Sequence, residues 1–273
     1  MHGRDIRLPV AVGVAVLAAG VATVVLRPRS GLIQSAPARA TAYFSPGELD
    51  RIHAYVGPQR ALGLGGLALT GGALVLLALR PPRPVRRALE RASARPLLGS
   101  AAAGAGLSVG VALIGLPIAA VAHGRAVDYG LSTQGWGAWA GDVAKSDAIA
   151  AAFAGGGAFL LVALMRRFPR RWWLPAGVAV VVLGGVFTFL APVVLDPVFN
   201  KFTPVPSGRL RDDVLDLGRR AGVHVGKVYR VDASRRTTGA NAYVGGLGST
   251  KRVVLYDNLI EGHSPAQVRS VVA

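Results

Sequence analysis

WWLPAGVAVVVLGGVFTFLAPVVL, residues 172–195, runs for 24 residues without an Asp, Glu, Lys or Arg. A helix of about 20 apolar residues crosses roughly 30 Å of hydrocarbon with every backbone hydrogen bond made internally, so this stretch reads as a membrane span. Four more charge-free runs precede it, at 8–26, 61–79, 97–122 and 148–165, and all 31 Lys and Arg and all 14 Asp and Glu lie outside the five. The 273-residue chain is 52% hydrophobic and 16% charged, where an average soluble domain carries about 25% charged residues. The expected fold is an α-helical multi-pass membrane bundle of five spans over residues 1–195, followed by a small, incomplete α+β extramembrane segment at 196–273. A soluble single-core protein is excluded, and the chain is expected in the cell membrane with the lipid bilayer as a partner.

The formal net charge of +17 comes mostly from Arg residues beside the spans, such as Arg80, Arg83, Arg86, Arg87, Arg91 and Arg95. Basic loops next to spans set topology and sit against anionic headgroups. No aromatic-plus-basic platform accompanies the charge, so nucleic acid is not an expected partner. The first apolar run, 19 residues long, exceeds a signal peptide's usual 7 to 15 and reads as a retained helix. Counting basic residues in the loops places the N-terminus in the cytoplasm and residues 196–273 on the other side. No ionisable residue lies within a span, which disfavours a proton-coupled transporter. Gly106 and Gly110 form a G-x-x-x-G, expected to let helices approach closely, and Pro117 and Pro192 are candidate kink sites. With no cysteine, the chain has no disulfide, thiolate metal ligand or thiol nucleophile.

The segment 196–273 has its own pattern. Ser207 is a candidate N-cap for a helix carrying Leu210, Val214, Leu217 and Ala221 on one face and ended by Gly222. Residues 223–231 read as a strand, and NAYVGG and KRVVLYD as two more, parted by a turn at Gly248 and Ser249. Ser264, Pro265 and Gln267 spell a helix start, and the chain stops at Ala273, barely two turns later.

Four stretches carry a resemblance: YFSPGELDRIHAYVGPQR (43–60), GLSTQGWGAWAGDVAKS (130–146), LDPVFNKFTPV (195–205) and, above all, SRRTTGANAYVGGLGSTKRVVLYDNLI (234–260). Together they resemble the CAAX prenyl proteases, membrane zinc metallopeptidases. The resemblance implies a metalloendopeptidase whose two zinc-binding His and water-activating Glu stand in an H-E-x-x-H on the helix after KRVVLYDNL. That motif would fall just beyond Ala273. The chain contains no His-Glu pair, and its five histidines, His2, His53, His123, His224 and His263, include no two spaced by four. The expectation is therefore an amino-terminal part of a zinc enzyme. Zinc belongs to the complete protein, no catalytic or metal-ligating residue is assigned here, and this chain alone is expected to be inactive and to bind no zinc. The resemblance further implies that Asn241, Ala242 and Tyr243 belong to an edge strand on which an extended peptide or membrane-protein substrate pairs by backbone hydrogen bonds. On sequence pattern alone, Asn241 simply opens a strand and Tyr243 fills a core. The alternative function is a non-catalytic membrane scaffold that keeps the strand without the metal. Eukaryotic members of the family imply an active site open to the cytosol, against the orientation that the loop charges give.

Overall fold

The computed structural model describes residues 7–25, 39–222, 226–246 and 251–272. The chain divides into two compact units, 1–53 and 54–273. The first holds helix α1 (Arg7–Val25) and the start of α2 (Pro46–Leu79). A capping box opens α2: the Ser45 N–H and hydroxyl both donate to Glu48 Oε2 at 2.8 Å, and the Glu48 N–H donates to Ser45 Oγ at 3.3 Å.

In the second unit α2 continues, followed by the short α3 (Arg83–Ser93), α4 (Pro96–Asp128), α5 (Trp136–Arg167) and α6 (Trp173–Val194). Among the described residues, four helices are long and apolar enough to cross a membrane: α2, α4, α5 and α6 with its short extension to Phe199. The remaining expected span, 8–26, falls on the 19-residue α1. Pro58 lies inside α2 and has no N–H to give the Ala54 carbonyl four residues back. Arg125 of α4 supplies the missing donor, its Nη2 standing 3.0 Å from the Ala54 oxygen and 3.4 Å from that of Tyr55. Pro117 and Pro192 stay inside continuous helices.

Helices α4 and α5 form an antiparallel pair, made close by two glycines other than those expected. A Cβ on Gly104 would lie 2.6 Å from the Ala154 carbonyl oxygen, and one on Gly155 would lie 2.9 Å from that of Ala101. A Cβ on Gly106 or Gly110, the G-x-x-x-G pair, would meet no neighbouring element within 4 Å. The motif is real in sequence, but α5 packs one helical face away from it. Gly99 is a third tight point: a Cβ there would sit 1.8 Å from the Ala92 carbonyl oxygen, so only glycine lets the end of α3 rest on the start of α4.

Beyond α6 come α7 (Asp196–Phe199), β1 (Phe202–Pro204), α8 (Arg209–Arg220), β2 (Lys227–Val231), β3 (Ala242–Gly245), β4 (Arg252–Tyr256), α9 (Asp257–Gly262) and α10 (Pro265–Val272). The sheet order is β1-β2-β4-β3, with β2 and β4 parallel and both outer pairs antiparallel. Val228, Val253 and Leu255 of the sheet pack with Val214 of α8 on one face, where Leu210 of α8 and Val272 of α10 join them. On the other face Val231, Ala233 and Val254 meet Phe202, Tyr229, Tyr243 and Tyr256. Fully burying a Val or Leu is worth about 1.5–3 kcal/mol, so these two small clusters are what order the segment.

Helix α8 departs from expectation at its start. Its N-cap is Gly208, whose φ of +150° suits glycine, while Ser207 Oγ accepts a hydrogen bond from Arg211 at 3.1 Å instead of capping the helix. Gly222, at φ +68°, provides the expected left-handed stop. The strand expected over 223–231 is described from Lys227, and the turn at Gly248 and Ser249 lies outside the described residues. The capping box of α10 forms as read: Ser264 N–H donates to Gln267 Oε1 at 2.9 Å, and Gln267 N–H to Ser264 Oγ at 3.4 Å.

Candidate functional site

β3 carries Ala242 and Tyr243, is preceded by Asn241, and lies at the edge of the sheet. The Tyr256 N–H donates to the Asn241 carbonyl at 3.0 Å, which fixes the alternation of the antiparallel pair. Tyr243 and Gly245 then turn their backbone groups to β4, and Ala242 and Val244 turn theirs to the open edge. Val244 is 56% exposed. Asn241 Oδ1 accepts the Ala242 N–H at 2.8 Å, so the first outward donor of the edge is already covered by the neighbouring side chain. Helix α10 packs against β3 as well as α8 and α9.

The loop leading into β3 is held from two directions. From β4 and α9, the Asp257 carboxylate accepts the Ser234 N–H at 2.8 Å, the Ser234 hydroxyl at 2.6 Å and the Asn258 N–H at 2.9 Å. Burial alone would raise the Asp257 carboxyl, but these hydrogen bonds outweigh it and hold the group below the usual carboxylate range. Asn258 Nδ2 donates to the carbonyls of Thr237 at 3.1 Å and Gly239 at 2.9 Å. From the membrane helices, the α4–α5 connection clasps the same loop. Thr133 Oγ1 donates to the Ser234 carbonyl at 2.7 Å, Thr133 N–H to that of Arg236 at 3.2 Å, and Thr238 Oγ1 to that of Gly130 at 2.9 Å.

Arg236 closes the clasp. Its Nε donates to Asp142 Oδ2 at 2.8 Å, its Nη1 to Asn200 Oδ1 at 2.6 Å, and its Nη2 to the Phe199 carbonyl. Lys145 also pairs with Asp142, at 2.6 Å. Each guanidinium nitrogen thus has an acceptor, and Asp142 is shared between Arg236 and Lys145. It borders a cavity of about 280 Å³ together with Asn200, Thr237, Tyr243 and Tyr256. Burial raises the Tyr243 hydroxyl above its ordinary value, the Asp196 carboxylate adds to the rise, and Arg252 opposes it. The tyrosine therefore stays a neutral wall of the cavity.

Three stretches quoted from sequence, 130–146, 195–205 and 234–260, converge here. The individual contacts of Asp142, Asn200, Arg236, Asp257 and Asn258 were not read from sequence. The only signal for them was that they fall inside those stretches. Among the described residues no group of three His, Cys, Asp or Glu side chains could hold a metal ion. His123 is instead stacked on Trp139 at 5.0 Å between ring centres and edge-on to Trp136 at 4.9 Å.

A family profile described as the CAAX prenyl protease N-terminal region with five membrane helices matches residues 85–201, and that of peptidase family M48 matches 204–273. The chain belongs to the CAAX prenyl protease family of M48 membrane metallopeptidases. An uncharacterized metalloprotease of Bacillus subtilis, YhfN, is 32% identical over 56% of this chain and 36% of its own length. The CAAX prenyl protease 1 of Saccharomyces cerevisiae is 33% identical over 50% of this chain and 30% of its own. The chain thus spans about a third of the length of these curated relatives. The crystal structure of S. mikatae Ste24p superposes with a TM-score of 0.70 at 23% identity, covering 84% of this chain and 56% of that one, which shows a shared fold. With its long apolar helices, this member of the family is a multi-pass membrane protein. The family implies zinc for the complete protein. Among the described residues no cluster of side chains offers a site for it.

Proposed function

We propose that the chain is the substrate-binding front of an integral-membrane zinc metalloendopeptidase, with residues 1–195 as its membrane region and 196–273 as the first part of its peptidase domain. The observation that carries this reading is the open edge of β3 beside α10. A peptide laid along that edge accepts a hydrogen bond from the Val244 N–H and donates to the carbonyls of Ala242 and Val244. Asn241 has a distinct task. Its Oδ1 is pinned on the Ala242 N–H, which leaves its NH₂ as the end that donates to a substrate carbonyl. Ala242 supplies backbone, and Tyr243 flanks the peptide from the wall of the cavity.

The test is Asn241→Ala in the protein extended through the metal-binding helix that the family carries, with turnover measured per zinc-loaded, folded molecule. A donor acting on the reacting carbonyl is worth about 2.7–4 kcal/mol, a 100- to 1,000-fold loss of turnover at unchanged zinc content. An asparagine that only opens a strand changes stability by about 1 kcal/mol and leaves turnover per folded molecule unchanged. That second result would remove Asn241 from the site.

A further inference from the structure

The membrane-proximal surface at the start of α4 has a composition that peptide cleavage does not explain. Helix α3, RPVRRALERAS, is amphipathic: at 100° per residue, Val85, Ala88, Leu89 and Ala92 share one face and Arg83, Arg86, Arg87 and Arg91 the other. None of its residues is buried, and Val85 and Leu89 on the apolar face are 36% and 48% exposed. It joins two membrane helices, α2 and α4, and it cannot swing freely, because the end of α3 rests on Gly99 with no room for a Cβ.

The antiparallel packing of α4 on α5 brings the start of one to the end of the other, so α3 shares its membrane side with the α5–α6 turn RRFPRR, residues 166–171. That side presents ten arginines over 80–95 and 166–171, and one carboxylate, Glu90, which pairs with Arg86 at 3.4 Å. Residues 83–91 and 166–171 are exposed throughout.

We propose that α3 lies in the plane of the bilayer interface, with Val85, Ala88 and Leu89 in the acyl boundary, and that its arginine face, together with the 166–171 turn, binds the headgroups of anionic phospholipids. The apolar face needs a non-aqueous partner, and the basic face needs anions at the same depth. A leaflet containing anionic lipid meets both needs on one short helix.

The chain has no cysteine, so spin labels at Ala88→Cys and Glu90→Cys in proteoliposomes report the two faces without background. The Ala88 label is expected to be accessible to oxygen and shielded from an aqueous nickel chelate, and the Glu90 label the reverse. Two water-exposed labels would overturn the proposal. In a second arm, the detergent-purified chain is equilibrated with mixed phosphatidylglycerol and phosphatidylcholine, and retained lipid is counted by native mass spectrometry. Phosphatidylglycerol is expected in excess. Each Arg→Gln at 83, 86, 87 and 91 should lower that excess up to about fivefold, with Arg→Lys keeping it. Equal retention of the two lipids overturns the proposal, as does an excess that survives all four Gln substitutions or that inorganic phosphate at matched concentration abolishes. The label arm decides even where the fourfold variant does not fold.

Discussion

Asp257→Ala removes the fastening that ties the loop 234–240 to the buried end of β4. Asp257 is 4% exposed, and its carboxylate accepts both donors of Ser234, at 2.8 and 2.6 Å. Truncation leaves the Ser234 N–H and hydroxyl facing a small void without an acceptor. A lost charged acceptor with stranded donors costs about 2–4 kcal/mol. Because β4 and the Val253–Leu255 core keep their own contacts, the cost falls on the loop and on β3, not on the whole sheet. Amide hydrogen exchange, read by mass spectrometry in detergent, should show protection over 234–245 falling by about 30- to 700-fold, with 252–256 unchanged. Asp257→Asn keeps one acceptor oxygen and should fall between. The pH dependence has a definite sign. The Asp257 carboxyl is held below its usual range, so its contribution is fully present above the unfolded value of about 4 and is lost as pH falls through the lower folded value. Wild-type protection of the loop, corrected for intrinsic exchange, should therefore drop below about pH 4, and the drop should be absent in Asp257→Ala. Unchanged exchange of 234–245 in the Ala variant at pH 7 would refute the reasoning.

Two further predictions concern the membrane helices. Gly104→Ala places a methyl 2.6 Å from the Ala154 carbonyl oxygen and 2.8 Å from Ala158 Cβ, so α4 and α5 must separate, at a cost of about 1–3 kcal/mol. Gly106→Ala meets nothing within 4 Å and should be neutral or slightly stabilising in detergent unfolding; equal losses would mean that the helices pack through the other face. Arg125→Met strands the Ala54 carbonyl that Pro58 leaves free and should cost about 1–3 kcal/mol. The same substitution in a Pro58→Ala background, where residue 58 regains its N–H, should cost at least about 1 kcal/mol less, and a double-mutant cycle with no coupling would rule out the assignment.

The membrane architecture was legible because hydrocarbon tolerates no charge. The empty runs at 61–79, 97–122 and 148–165 fall inside α2, α4 and α5, each of which outruns its apolar run at one or both ends, and the run 172–195 exceeds α6 by one residue at each end. Helix α5, for example, begins at Trp136 in a polar stretch, and nothing in composition says that this stretch is helical. Which face of α4 meets α5 was not legible, since Gly104, Gly106 and Gly110 are alike in sequence and only the rotation of α5 decides among them. The capping box at Ser264 and Gln267 was legible because it is local. The cap at Ser207 was misread because a glycine beside it could take a backbone conformation that a serine could not. In the candidate site, the edge position of β3 was available only through resemblance, and the Asn241 self-contact through neither route.

The charge buried in β4 explains why sequence pattern stops short of the site. KRVVLYD reads as an apolar strand, yet Arg252 is 9% exposed and points back at the membrane bundle. Its guanidinium donates to Asp196 at 2.9 Å and to the Pro192 carbonyl in the last turn of α6, and it stands 4.6 Å from the Phe202 ring centre and 5.4 Å from that of Tyr229. A helix end leaves carbonyls unpaired and carries partial negative charge, which a cation relieves. Arg252 supplies that cation from β4, the strand that pairs directly with β3. Arg236, on the loop that enters β3 from its other end, is tied to Asp142 near the start of α5 and to the Phe199 carbonyl at the end of α7. The edge strand is thus tied at both ends to membrane helices by buried or half-buried arginines, each with a carboxylate and a main-chain carbonyl as partners. An edge strand mounted this way has its position fixed relative to α5 and α6. Under the function proposed above, a peptide pairing with this edge would be held at a fixed position relative to α5 and α6, which suits a substrate that is itself anchored in the membrane.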